Sequence, residues 1–467
     1  MSERTLVRQI RRCWSRSRAF RIILAIALVY TVLRLAVQGV YLAVMLFPEQ
    51  NVMGGMPGWA GVEGPMLPVD LQAYLDAAKR FQLGQDLYPT GSFTQLEGLY
   101  QYAPSFALAC IPFLWLSPVA VTIIHTLLHI AAYALLYVWW GRIFRRLNLD
   151  RAGEMLAWTL PVWLIFPAFW SDLGYLNIYT ITALLSTLLI DAVLNERLGW
   201  SLLWLSITLQ TKPQWAFAAA VPLLLGRHRF FFKLIALTLV TYVVVVGATI
   251  LVIGPAYGWQ QYIDYFQFLP RLSHDFPWRG PDRGFLGYNH SIVQIVVYLL
   301  GVTPGAMRLA TGIKVLLLIP LAATALRYLF QPVGRSGQDA PQIGLDLAFA
   351  LYLGAFIWLD MVWEVSLGIA VFTYLLATLE RHRAKILVWA IWIPYVSIDP
   401  LRLLGAVLAF GGLNTILPGP YILTDLSMHI PIVMIVILTF YALLVRRLWV
   451  SAPIHQVDSI NWRLTRP

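Results

Sequence analysis

Asp70 opens the run Asp70-Leu71-Gln72-Ala73-Tyr74, shortly after the first long apolar stretch of the chain. A carboxylate fixed beside a bilayer surface suits a general base, which takes the proton from a hydroxyl during group transfer. Following Pro68-Val69 at the start of an amphipathic stretch, it suits a helix N-cap better still, and the two roles do not exclude each other. Lys212, one of five lysines, interrupts Leu209-Gln210-Thr211-Lys212-Pro213-Gln214. Pro213 breaks the helix and frees backbone groups, which lipid tolerates only beside a cavity. A cation there suits a phosphate; it also suits a lysine snorkelling from a helical hairpin.

Further along, Asp275–Ser291 carries Arg279 and Arg283, which match a clamp on an anionic headgroup. Trp278, Phe285 and Tyr288 are placed to stack on a sugar or to sit in an interfacial aromatic belt, and Asn289-His290-Ser291 ends the loop. Glu364, after Trp363, suits sugar hydroxyls or the start of a helix. Arg34 and Lys314 lie inside apolar runs, where charge faces a polar cavity, a phosphate or an ion-pair partner.

These residues must be positioned by membrane helices. The chain is 59% hydrophobic and 12% charged, with a mean hydropathy of +0.69, whereas soluble domains carry about 25% charged residues. Apolar runs recur from Ile22 to Val445, giving an all-α polytopic membrane protein. The net charge of +11 does not point to nucleic acid, because Arg4, Arg8, Arg11, Arg12, Arg16, Arg18 and Arg21 precede the first span and other basic groups cluster at span ends. That is the positive-inside pattern. The stretch 22–47 is too long for a cleaved signal and reads as a retained anchor. Cys13 and Cys110 imply no disulfide or metal framework.

Placing the basic clusters inside gives about twelve crossings with both termini cytoplasmic. They fall at 22–47, 119–142, 154–172, 176–194, 199–211, 213–226, 230–253, 304–328, 344–359, 364–379, 384–398 and 428–446. Residues 1–21 form a basic tail, 22–449 one membrane domain and 450–467 a second tail. The outer face carries loops 48–118 and 254–303, and the apolar pieces 102–116, 291–301 and 401–417 are left as non-crossing. Asp70, Asp172–Asn177, Lys212, Asp360, Glu364 and Asp399 then share the outer side. No Gly-rich phosphate cradle and no metal-spaced His cluster appears.

Taken in order, these segments resemble glycosyltransferase family 87, the polyprenol-phosphate-mannose-dependent mannosyltransferases of the GT-C fold class. Asp70 with Tyr74, then Gly84 and Tyr88, is similar to its Asp-x-x-x-Tyr … Gly-x-x-x-Tyr stretch, and Tyr102-Ala103-Pro104 to its Tyr-x-Pro. Gly174-Tyr175-Leu176-Asn177 resembles Gly-Gln-x-Asn, Lys212-Pro213 matches Lys-Pro, and Asn289-His290-Ser291 resembles Asn-Gln-Ser. Trp363-Glu364-Val365 resembles Trp-Glu-His. Tyr175 and Val365 depart from the pattern. The resemblance implies an inverting sugar transfer in the cell membrane, at its outer face, from a polyprenyl phosphate donor to a glycolipid or glycan hydroxyl, with no resident cofactor and a divalent cation left open. It implies Asp70 as base, Lys212, Arg279, Arg283 and His290 at the phosphate, and Tyr74, Tyr88, Asn177, Asn289, Trp363 and Glu364 at sugar or acceptor. A transporter or flippase for a lipid-linked glycan is the alternative, and such proteins carry inverted repeats, which this sequence does not display.

Overall fold

Backbone groups in lipid have no water to bond, so an apolar chain folds as helices that satisfy themselves. The computed structural model describes residues 3–47, 66–89, 100–276, 278–281, 289–330, 340–362, 365–410 and 426–451, and among these there is no strand. The protein is an all-α membrane protein. In chain order the helices are α1 (Glu3–Arg16), α2 (Arg18–Leu46), α3 (Val69–Gln82), α4 (Pro104–Cys110), α5 (Pro118–Arg146), α6 (Asp150–Trp158), α7 (Leu160–Leu164), α8 (Pro167–Tyr175), α9 (Tyr179–Leu194) and α10 (Leu198–Thr211). There follow α11 (Val221–Leu224), α12 (His228–Ile253), α13 (Pro255–Asp275), α14 (Ile292–Leu300), α15 (Pro304–Phe330), α16 (Ala340–Trp358), α17 (Gly368–Thr378), α18 (His382–Phe410) and α19 (Leu426–Ser451). Short 3-10 segments occupy Ile111–Trp115 and Pro213–Ala220.

Each stretch read as a crossing contains helix, although 213–226 is a 3-10 segment followed by one short turn of α-helix. Among the described residues six helices, α2, α5, α12, α15, α18 and α19, are long and apolar enough to cross a membrane. The pair α6 with α7–α8, bent by 56°, makes a seventh if counted as one span. The bend has a local cause: Pro161 has no N–H to give the Ala157 carbonyl, so the helix breaks at Thr159. The other apolar helices are shorter and more deeply packed; α17, for example, is buried almost along its whole length.

Two expectations change. The basic amino-terminal tail is a helix, because its apolar residues Leu6, Ile10 and Cys13 fall on one face and pack on α5, α6 and their neighbours. The apolar piece from Leu401 is no separate element, since α18 runs on to Phe410 through Pro394 and Pro400; 411–417 lie outside the described residues.

Several charges inside the bundle are paired. Arg34 Nε donates to Asp399 Oδ2 at 3.0 Å, and Tyr30 donates its hydroxyl to the same oxygen. Both therefore serve α2–α18 packing and have no part in the site described below. Asp346 accepts from Arg447 through two nitrogens and from the Tyr374 hydroxyl at 2.7 Å. Removing one partner of a buried pair leaves an uncompensated charge and costs about 3–5 kcal/mol. Arg447→Met is accordingly expected to lower the thermal unfolding midpoint clearly in detergent. A shift no larger than that of exposed Arg308→Met would remove this reading.

Candidate active site

The site begins with α3. Leu71, Tyr74, Ala77, Ala78 and Phe81 are buried, and the two alanines at 0% exposure let α3 approach α4 closely. The helix ends where Gly84 takes φ +69 and the Gln85 N–H bonds back to the Arg80 carbonyl at 2.9 Å, a left-handed C-terminal cap. At its start the expected cap is corrected: Pro68 holds the N-cap position and no side chain caps the helix. Asp70 sits inside the first turn, half-buried, and its carboxylate accepts a hydrogen bond from Asn177.

Asn177 is aimed by its own turn. Between α8 and α9, Leu176 adopts φ 51, ψ 43, the left-handed region that a branched residue enters only when its surroundings force it. Asn177 Oδ1 takes the Ile178 N–H at 2.7 Å, which leaves its amide nitrogen for Asp70. The turn is locked from below. Asp172 accepts the Tyr179 and Thr180 N–H groups at 3.2 and 2.7 Å, capping α9. His129 presents Nε2 to the Asn177 carbonyl and lies 3.3 Å from Asp172 Oδ2, while its Nδ1 meets the His125 carbonyl at 2.8 Å.

Lys212 approaches from the other side. Pro213 cannot give an N–H to the Leu209 carbonyl, so α10 stops at Thr211 and the chain turns into a 3-10 segment. With 14 residues, α10 is about 21 Å long, shorter than the hydrocarbon core. Lys212 is buried at this break, 8% exposed, rather than reaching out to the surface. Its ammonium lies 3.7 Å from the Tyr179 ring centre and 5.0 Å from that of Tyr102. Among the described residues it forms no salt bridge.

Burial pushes the Asp70 carboxyl up to about 6; the Asn177 hydrogen bond and the Lys212 charge hold it down, and Asp172 raises it further. A cavity of about 420 Å³ opens over Lys212, lined by Tyr102, Tyr179 and Gln214 on one side and Lys314, Trp358 and Asp360 on another. Asp70 is not itself in the cavity wall and meets it through Lys212, Tyr102 and Tyr179. Lys314 donates to Asp360 and to the Trp358 carbonyl.

Of the other sequence-selected residues, Tyr74 is buried with its hydroxyl 2.9 Å from that of Tyr102. Tyr88 donates to the Tyr102 carbonyl at 2.6 Å and stands in an aromatic wall with Tyr265 and Phe268. Asn289 accepts the Val362 N–H and donates to the Asp360 carbonyl, and the His290 N–H bonds the Val362 carbonyl. Both therefore hold the segment that carries Asp360. Arg279 is exposed, with its carbonyl accepting from Gln294. Arg283, Trp363 and Glu364 lie outside the described residues. The departing residues fall away from Lys212: Tyr175 is 42% exposed and Val365 is core. Tyr179 was not legible as a site residue, because an aromatic in an apolar run has no distinguishing neighbours, and His129 was missed although His125 one helical turn earlier was a signal that could have found it. No group of three or more His, Cys, Asp or Glu side chains is placed to hold a metal among the described residues.

Residues 100–353 match the sequence model of glycosyltransferase family 87. The chain belongs to glycosyltransferase family 87. No curated protein and no solved structure gives a match. As a member of family 87 the protein is a membrane glycosyltransferase, and it works on a sugar donor and an acceptor. Within the matched segment lie Tyr102, Asn177, Lys212 and Lys314; Asp70 precedes it and enters the site by geometry alone.

Proposed function

We propose that this family 87 protein is a GT-C-type enzyme of the cell membrane, with cytoplasmic termini, that moves mannose from a polyprenyl phosphate to an acceptor hydroxyl on a glycolipid or glycan at the outer face, inverting the anomeric centre. One observation carries the reading. A carboxylate near neutrality, oriented by Asn177, faces a buried lysine that lines a cavity flanked by lipid-embedded helices. In the step proposed, the acceptor oxygen attacks C1 and its proton passes to Asp70. The C1–O bond to phosphate breaks, and the electron pair leaves on a phosphate neutralised by Lys212, with Lys314 on the facing wall. Tyr102 and Tyr179 form the aromatic floor of that pocket. Arg279 and Arg283 are assigned to the donor phosphate and Glu364 to sugar or acceptor hydroxyls, while His290, 1% exposed and outside the cavity lining, is withdrawn from the phosphate.

Purified protein given labelled polyprenyl-phosphate mannose, polyprenyl-phosphate glucose or a mannose nucleotide tests the reading. Mannose should move from the first donor with inversion. Transfer from the nucleotide alone, or with retention, overturns it.

Asn177→Leu supplies a finer test. Its hydrogen bond is the largest influence holding the Asp70 carboxyl down, so its loss raises that carboxyl further. The acid limb of the transfer rate should then move to higher pH while the apparent donor affinity stays put. An unmoved limb detaches Asn177 from Asp70.

A further inference from the structure

At the far end of α5, a second site is built around α1. From His129 to Arg142 along this helix is about 20 Å, so the two sites lie toward opposite ends of α5. α1 lies across α5 and α6, seated where two glycines admit it. A side chain at Gly141 would meet Leu6 and Leu156 within 3.5 Å, and one at Gly153 would meet Gln9. Between the helices runs a groove of about 350 Å³, walled by Leu6, Val7, Ile10, Tyr137 and Val138, with Arg142 and Arg145 on its α5 side. Arg142 lies 4.7 Å from the Trp139 ring, forms no ion pair among the described residues, and its Nε has no hydrogen-bond partner. The Trp139 Nε1, a donor only, is likewise without an acceptor.

We propose that this groove holds an anionic phospholipid, one acyl chain along the apolar wall and its phosphate against Arg142 and Arg145. Three observations favour a lipid as the occupant. The groove is apolar along its length and basic at one side. The outer face of α1 carries exposed Arg8, Arg11, Arg12 and Arg16, a polybasic strip suited to an anionic leaflet. Val7 and Trp14, each 46% exposed, give the same helix an apolar edge for the acyl boundary. Asp150 at the groove is outnumbered by these cations.

Native mass spectrometry of the full chain, delipidated and then titrated with phosphatidylglycerol or phosphatidylcholine, tests this. Phosphatidylglycerol keeps the net negative charge that choline cancels in phosphatidylcholine, so two arginines at the headgroup predict about a thirtyfold preference for it and one tightly held molecule per chain. Arg142→Ala with Arg145→Ala should erase the preference, and Val138→Trp, which fills the groove and keeps every charge, should erase the tightly held molecule. Equal retention of the two lipids overturns the site. So does an unchanged Val138→Trp variant, since diffuse surface charge would then explain the binding; that variant also decides the matter should the double variant fail to fold.

Discussion

Asp70→Asn is expected to lower sugar transfer by about 10²–10⁴-fold, the usual contribution of a general base. The substitution is nearly isosteric and keeps an oxygen that can accept from Asn177, so α3 and the donor pocket should stay intact. Binding of labelled donor should therefore survive while turnover does not. The pH profile gives an independent check. Below about 6 the wild-type carboxyl is protonated and cannot accept the acceptor's proton; above it the base is free. The rate per free enzyme should thus rise with pH through about 6 with unit slope and then level off. In Asp70→Asn the residual rate should lack that limb. A variant retaining a tenth of the activity, or the same limb persisting in it, would falsify the assignment of the base.

The placement of Asp70 also marks where sequence reasoning stops. Aspartate is favoured both at the N-cap and within the first helical turn, in one case by a backbone hydrogen bond and in the other by the helix dipole. The residue type therefore could not say whether the helix began at Asp70 or earlier. The structure begins it at Val69 and frees the carboxylate. The break at Lys212-Pro213 was legible because proline acts on its own neighbours, whereas the bend at Thr159 escaped notice although Pro161 causes it in the same way. Pro394 and Pro400 taught the opposite lesson, since α18 continues through both. What no local pattern contained was the meeting of Asp70, Asn177 and Lys212, which come from three separate helix ends. Asp399 shows the same limit: it sat among the outer polar residues in sequence, yet its partners are Tyr30 and Arg34 on α2.

Lys212 is the residue on which two consequences converge, and Lys212→Met should display both. The substitution keeps the chain's reach across Tyr179 and Tyr102 but removes the charge that neutralises the leaving phosphate. Loss of one such preorganised group lowers turnover by about 10²–10³-fold. Apparent donor affinity should weaken as well, because the phosphate is charged before transfer begins. The second consequence concerns the base. Lys212 holds the Asp70 carboxyl down, so in its absence burial and Asp172 act with less opposition and the carboxyl rises above about 6. The acid limb should move to higher pH, as in Asn177→Leu, but only Lys212→Met should change the donor term too. Lys212→Arg restores the charge without the compact ammonium, and part of the turnover should return with the limb near its original place. If Lys212→Met instead altered thermal stability alone, leaving donor affinity and the limb untouched, the lysine would be a structural cation stacked on two tyrosines, and the phosphate would have to be held elsewhere in the cavity.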